Sequence, residues 1–204
     1  MKKFYSCCFY LLLLSGCFTA TAQNTGIPVR FAAGNFITGN NIQKQSFQKE
    51  SLQSSFYNNN FYVLVQFLKL PSLPVQKNLQ NAGCDLQTYL PGNAYLATIK
   101  NSFDFSQAGG YEISSINSIP LVYKKDIAFA NFQQPGNKEN YQIIAVSYYT
   151  SVNKATIIAE LEKLGALFVP TKYAEANVVF VQADMSKVDA IAALPFVSYV
   201  ALQT

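Results

Sequence analysis

The amino-acid sequence predicts an α+β protein in which one order of elements, strand-helix-strand-strand-helix-strand, occurs twice. Of the 204 residues, 50% are hydrophobic, 14% aromatic and 13% charged, a composition that supports packed cores rather than solvated disorder. Two apolar segments, 61–67 and 141–149, are each followed by helical spacing that ends at a glycine, Gly83 or Gly165. A polar segment, 133–137, contains proline and glycine and is typical of a linker between the two copies.

Periodicity and turn residues define the first copy. Segment 61–67 is rich in β-branched and aromatic residues, which predicts a strand mostly buried on both faces. A helix is predicted over 75–82, where Leu79 and Ala82 share one face, and Gly83 supplies the positive φ that ends it. Two strands are predicted over 86–89 and 94–99, joined by a turn at Pro91-Gly92-Asn93. A short helix over 103–108 and a closing strand over 113–119 complete the copy.

The second copy begins with a clearly alternating strand. Two sets of side chains within 141–149 point to opposite faces: Ile143, Ala145 and Ser147 against Ile144, Val146 and Tyr148. Thr150 or Ser151 is predicted to cap a helix that runs to Leu164, and Asp184 is predicted to cap a second helix. The other strands are predicted over 166–170, 177–182 and 196–202, with Lys172 and Glu175 in the first intervening turn.

These elements predict two tandem ferredoxin-like units, 61–120 and 141–204, joined by a linker over 121–140. Right-handed crossovers place both helices of a unit on one face of a four-stranded antiparallel sheet. The opposite face, carrying tyrosine and phenylalanine, then requires a partner. Within the linker, 124–132 is apolar enough to pack across a unit, whereas Lys124 and Lys125 are predicted to form an exposed pair. The alternative is one mixed α/β domain of eight strands.

The amino terminus has the features of an export signal. Lys2 and Lys3 precede an apolar stretch over 4–14, and Ala20-Thr21-Ala22 forms a cleavage site, which together predict a signal peptide over 1–22. The alternative is a bacterial lipobox that ends at Cys17, which would then carry a lipid anchor. Both predict export to the cell envelope, the periplasm or the medium, without a membrane span. Segment 23–60, rich in Gln, Asn and Ser, is predicted to be a loosely structured leader.

Composition also excludes several classes of function. The chain has no histidine, so Ser-His-Asp and Cys-His catalytic arrangements are excluded and the commonest metal ligand is missing. A formal net charge of +4 offers little attraction for nucleic acid. Removal of 1–22 leaves Cys84 as the one cysteine, predicted to be a small buried hydrophobic residue. We therefore predict no catalytic residue, cofactor or metal site; Asp184 and Asp189 are interpreted as a helix cap and a solvated helix residue.

The closing segment of the second copy resembles a known sequence motif. Ile191, Pro195, Val197 and Val200 match a helix that ends in Leu-x-x-x-Pro-x-Val-x-x-Val, found in the propeptide, or peptidase inhibitor, domain of subtilisin-like serine peptidases. The first copy is similar to the additional amino-terminal domain of large secreted bacterial members. The resemblance covers about 61–202. The sequence contains none of the Asp, His or Ser blocks of the family's catalytic domain, which in that family begins where this sequence stops.

The resemblance implies a non-catalytic function as intramolecular chaperone and cleft-occupying inhibitor. In that family the open sheet face docks on the peptidase, in cis or in trans, while an extended tail occupies the substrate cleft. The residues that would form this tail are Val200, Ala201, Leu202, Gln203 and Thr204. The alternatives are a secreted ligand-binding module and a structural or adhesive module of ferredoxin-like fold.

Overall fold

The structure, a computed structural model, describes residues 26–131, 140–171 and 177–203. Within these ranges the chain is a mixed α+β protein with three antiparallel sheets. The predicted signal peptide, the segment 133–137, the turn with Lys172 and Glu175, and Thr204 lie outside the described residues. No helix of the described part is long and apolar enough to cross a membrane.

The strands and helices appear in the predicted order, with an additional hairpin at the amino-terminal side. The strands are β1 (Val29–Phe31), β2 (Gly34–Phe36), β3 (Phe56–Tyr57), β4 (Asn60–Phe67), β5 (Cys84–Leu90), β6 (Ala94–Lys100), β7 (Ile113–Asn117), β8 (Tyr141–Tyr148), β9 (Leu167–Val169), β10 (Val178–Asp184) and β11 (Val197–Leu202). The α-helices are α1 (Leu73–Ala82), α2 (Lys154–Lys163) and α3 (Val188–Ala193). Short 3-10 helices cover Lys49–Ser55, Phe105–Tyr111, Leu121–Lys124, Ile127–Asn131 and Met185–Lys187.

The first sheet has five strands, in the order β3-β4-β6-β5 with β7 also paired to β4. Its central strand, β4, is buried on both faces, as its continuous apolar run predicts. Phe61, Val63, Val65 and Phe67 pack with Leu79 of α1 on the helix side. Gly83, with φ 97°, ends α1 as predicted. The short strand β3 adds one strand to the four that were expected.

The second sheet has four strands in the order β11-β8-β10-β9, and all three pairings are antiparallel. Side chains of β8 alternate between a buried and a more exposed face, as predicted. Ile144 and Val146 point to the buried side, where they share a core with Ile157 and Leu161 of α2 and Ile191 of α3. The second sheet therefore has its helices on one face.

Two predicted helix details are corrected by the structure. Asn153, not Thr150 or Ser151, caps α2, because its side chain accepts a hydrogen bond from the backbone N–H of Ala155 at 2.8 Å. The backbone N–H of Thr150 instead donates to the Gln87 side chain of the first sheet at 2.8 Å. Segment 103–108, predicted as a helix, forms a 3-10 helix over Phe105–Tyr111.

Segment 26–60 is not the loosely structured leader that the sequence predicts. Its hairpin β1–β2 places Val29, fully buried, on the first sheet's outer face with Leu64 and Ala94. Its 3-10 helix Lys49–Ser55 adds the fully buried Leu52 to the helix-side core. Strands of three residues are too short to show a period, and their burial depends on a surface that is distant in sequence.

Segment 121–131 packs mainly against the second half of the protein. Phe129 contacts its core, as predicted for 124–132, and Leu121, which precedes that range, also does so. The predicted exposed lysine pair is wrong for Lys124, which is 6% exposed and whose Nζ donates to the carbonyl of Leu194 at 3.2 Å. Lys125 Nζ pairs with Asp189 Oδ1 at 2.6 Å. Lys124 is buried because it reaches the last carbonyls of α3.

This burial predicts a stability difference that depends on pH. Burial alone lowers the pKa of the Lys124 ammonium to about 8 from its ordinary value of 10.5. Between these values the unfolded chain holds a proton that the folded protein has released, so stability rises with pH. The full rise corresponds to roughly 3 kcal/mol.

The measurement compares the wild type with Lys124→Met by urea unfolding between about pH 7 and pH 11, a range that includes both pKa values. The difference between the two proteins isolates Lys124, because the neighbouring Lys125–Asp189 pair, Asp126 and the tyrosines are present in both. We expect the wild type to gain stability relative to Lys124→Met as pH rises. A difference that stays constant with pH contradicts a buried, charged Lys124.

Candidate protein-docking face

The outer face of the second sheet is accessible and mostly apolar. Alternate residues of its strands, those that point away from α2 and α3, include Tyr141, Ile143 and Ala145 of β8, Phe180 of β10 and Leu167 of β9. Tyr141, Ile143 and Leu167 are 43%, 40% and 61% exposed. We call these five residues the docking face. The same face also carries the exposed Gln182, between Ile143 and Leu167, and Asp184, opposite Tyr141. Apolar side chains gathered on one sheet face are typical of an interaction surface.

The outer face of the first sheet, in contrast, is covered. Val29 of the hairpin and Ile119 pack against Leu64 in a buried cluster that Tyr123 adjoins. Gln66 projects into the same side and is 1% exposed. Only the second sheet therefore presents an accessible outer face within the described residues.

Gln66 makes three side-chain hydrogen bonds, two of which bind the amino-terminal segment to the first sheet. Its Nε2 donates to the carbonyls of Ile27 at 2.6 Å and Gly92 at 2.7 Å. Its Oε1 accepts from the hydroxyl of Thr38. A buried amide in the middle of a central strand is costly unless its donors and acceptor are satisfied. Residues 26–40 supply two of the three partners, Ile27 and Thr38, which makes this segment part of the fold.

Aromatic contacts join the two halves of the protein. The Tyr149 ring lies 5.2 Å from that of Tyr62, and its hydroxyl donates to the carbonyl of Val63 at 3.3 Å. Tyr57 and Phe196 meet edge to face at 4.7 Å. Burial, with a smaller contribution from Tyr62, raises the pKa of Tyr149 far above its ordinary value. These contacts hold the two sheets together, so the docking face belongs to a larger packed body.

The predicted inhibitory tail is placed partly inside the fold. Val200 is fully buried, pairs with Val146 of β8, and its carbonyl accepts from the backbone N–H of Asp126 at 2.9 Å. Ala201 pairs with Ala145 of the docking face, and Leu202 pairs with Ile144. Val200 is therefore a core residue of the terminal strand in this structure.

After β11, Gln203 remains bound to β8 beside the docking face. The backbone N–H of Gln203 donates to the carbonyl of Ile143 at 3.1 Å, and the Gln203 side chain is exposed. The docking-face residues themselves were not predicted as site residues. The alternation within 141–149 carried the signal for Ile143, but the exposure of Leu167 depends on tertiary packing.

Cys84 is buried at the start of β5, as predicted. Burial, with a smaller contribution from Asp85, raises the pKa of its thiol to about 12. Since the thiolate is the reactive form, we expect a thiol reagent at pH 8 to react at least about 100-fold more slowly with the folded protein than with the unfolded chain.

The chain lacking residues 1–22 is suited to this measurement because Cys84 is then its one cysteine. Release of the chromophore from a disulfide reagent is followed with and without denaturing guanidinium chloride. Equal rates in the two conditions would show that Cys84 is accessible. Among the described residues, no group of three or more His, Cys, Asp or Glu side chains is arranged to hold a metal ion.

Comparisons with known proteins match part of this architecture. The sequence model of a family described as "Domain of unknown function (DUF8729)" matches residues 30–120. The matched range runs from β1 through β7, so it includes the hairpin together with the first sheet. No curated protein and no solved structure matches the chain. The chain is thus similar, over its first half, to a family whose function is not described.

Proposed function

We propose that this chain is a non-catalytic, propeptide-like module that inhibits a subtilisin-like serine peptidase and assists its folding. The observation that carries the proposal is the apolar docking face, with the terminal strand β11 ending beside it. Such a face suits a large apolar partner surface, and a strand that ends next to it can continue into a neighbouring groove. The resemblance of Ile191, Pro195, Val197 and Val200 to the propeptide phrase supports the same partner.

The proposal includes two ferredoxin-like units. Strand order supports it, since the first and third strands of each repeat are neighbours inside the sheet: β7-β4-β6-β5 and β11-β8-β10-β9. In the second repeat, α2 follows the first strand and α3 follows the third, so each crossover carries a helix. In the first repeat, α1 and the 3-10 helix Phe105–Tyr111 occupy the same two places.

Docking would derive its energy from burial of the apolar face. Tyr141, Ile143 and Leu167 retain large exposed areas that a partner can cover, at about 25 cal/mol for each Å² of apolar surface removed from water. A tyrosine at the edge of such a patch can also hydrogen-bond through its hydroxyl. The energy arises from contact alone and requires no reactive group on this chain.

The tail would contribute through main-chain hydrogen bonds in the substrate cleft. Gln203 and Thr204 follow the last strand, so an extended continuation can pair with cleft strands while alternate side chains enter pockets. Val200 is committed to the core, and this limits the cleft-binding part to residues after it. Linkage in cis would raise the local concentration to about millimolar, which keeps even a micromolar site occupied.

Binding of this kind also explains a chaperone role. A ligand that binds the folded peptidase and not its unfolded chain stabilises the folded state by mass action. The predicted signal peptide, or the alternative lipid anchor at Cys17, would deliver the module to the compartment where secreted peptidases fold. We propose an exported protein for this reason.

The proposal is tested by inhibition of subtilisin-like peptidases. The chain lacking residues 1–22 is titrated against a panel of these enzymes, beginning with any encoded beside it, and progress curves give the inhibition constant. We expect slow, tight inhibition of at least one enzyme. Lack of inhibition at tens of micromolar, where binding would still be worth about 6 kcal/mol, contradicts the proposal.

Removal of Gln203 and Thr204 is expected to raise the inhibition constant about tenfold while the melting temperature changes by less than about 2 °C. The backbone hydrogen bond from Gln203 to Ile143 is lost from the described fold, and the strand pairs of β11 are kept. The control replaces both residues by alanine, which keeps the backbone donors and acceptors and should keep most of the inhibition. Parallel losses of inhibition and melting temperature would assign these residues to stability instead.

A further inference from the structure

A cavity of about 280 Å³ lies between the amino-terminal 3-10 helix, the segment after β7 and helix α3. Its polar lining consists of the Ser54, Ser55 and Ser118 hydroxyls and the Lys124 side chain. The remaining lining is apolar, with Ala192 among it, and no Asp or Glu lines the cavity. The site therefore combines hydroxyl groups and one ammonium without an opposite charge.

Lys124 is the charged group of this site. Its side chain is buried, and its Nζ has one hydrogen-bond acceptor, the Leu194 carbonyl at 3.2 Å, although an ammonium has three N–H donors. No ion pair among the described residues includes Lys124. The nearby Asp189 carboxylate is already paired with Lys125 at 2.6 Å. A buried cation without a counter-charge is unfavourable unless something else compensates it.

The serine hydroxyls bond to one another and can redirect their protons. Ser55 Oγ lies 2.8 Å from Ser118 Oγ, and Ser54 Oγ lies 3.4 Å from the same atom. Hydroxyl protons rotate freely to suit a new acceptor. Ser118 Oγ also approaches the Ser51 carbonyl at 3.5 Å, and these hydroxyls can turn from one another to donate to an anion that enters the cavity.

We propose that this cavity binds a small oxyanion, a phosphate or a carboxylate, with Lys124 as its charged anchor and Ser55 and Ser118 as hydroxyl donors. Phosphate and carboxylate share the acceptor geometry that these donors fit. The bound anion would connect the first half, the segment 121–131 and α3, and would therefore stabilise the folded protein. This site is separate from the docking face and does not depend on the proposed inhibition.

The experiment measures thermal unfolding of the chain lacking residues 1–22 at pH 7 and constant ionic strength, with sodium chloride exchanged for phosphate or for acetate. We expect a saturable rise in melting temperature with one or both anions, because ligand binding stabilises the folded state. The phosphate and acetate arms distinguish the two chemical sources. A rise that does not saturate, or that equals the effect of chloride, overturns the proposal.

Two variants and a control locate the site. Lys124→Met is expected to abolish the saturable rise. Ser118→Ala is expected to raise the anion concentration that gives half of the full effect about tenfold. Lys125→Met, which removes a neighbouring charge outside the cavity, should leave the rise unchanged. If Lys124→Met does not fold, equilibrium dialysis measures the binding of phosphate and of acetate to the wild type and to Ser118→Ala and tests the site in its place. An undiminished response in Ser118→Ala, or binding of neither anion to the wild type, overturns the assignment.

Discussion

Replacement of Ile143 and Leu167 together by aspartate is expected to weaken peptidase inhibition by at least about 100-fold with little effect on folding. The two side chains are 40% and 61% exposed, so the carboxylates remain in water in the free protein. In the complex they would be buried against an apolar surface without a partner, at a cost of several kcal/mol. We expect the free energy of unfolding to change by less than about 1 kcal/mol.

Inhibition constants from progress curves and urea unfolding provide the two measurements. The matched control is the double variant Leu68→Asp and Leu73→Asp, whose side chains are 53% and 79% exposed and lie in the first half of the chain. It adds the same charge to exposed leucines that the docking face does not include. If both double variants lose inhibition equally, the docking face is not the contact surface.

Gly92→Ala is expected to destabilise the protein by about 2–4 kcal/mol and to displace the hairpin β1–β2. Gly92 has φ 109°, which L-residues with a side chain rarely adopt. A Cβ at this position would lie 2.5 Å from the Pro28 carbonyl oxygen and 3.0 Å from the Val29 Cα. Both atoms belong to backbone that Gln66 and Pro91 hold by hydrogen bonds, so they cannot move aside easily.

Urea unfolding measures this loss, and amide exchange at Val29 and Arg30 reports displacement of the hairpin. Gly39→Ala serves as control, because no heavy atom lies within 4 Å of a Cβ built there. It should be close to neutral. A Gly92→Ala protein as stable as Gly39→Ala would mean that the hairpin is not held against the turn.

Strands and helices could be predicted from the local pattern of apolar residues, whereas contacts between distant parts of the chain could not. The alternation in β8 and the apolar run in β4 each specify a strand, because burial follows a period of two or covers both faces. The position of Gly83 specifies the end of α1 through its backbone conformation. Each of these properties is readable within a few residues of sequence.

The hairpin and the burial of Lys124 depend on surfaces far away in sequence. Val29 is buried because it meets Leu64, and Lys124 is buried because it meets the carbonyl of Leu194, and neither partner is visible locally. Prediction of the docking face from sequence has the same limit, because it depends on contacts between distant residues. The open sheet face could be expected from helices on one side, but which of the two sheets keeps it open depends on where residues 26–40 fold back.

The contacts of Tyr149 with Tyr62 and Val63 couple the unfolding of the two halves. Because a central strand of one sheet supplies a wall of the other half's core, neither half can melt while its neighbour stays intact, and a single cooperative transition should result. A nick that opens either half would then expose both to further proteolysis. Turnover of the whole chain would be all-or-none, without a long-lived half-sized remnant.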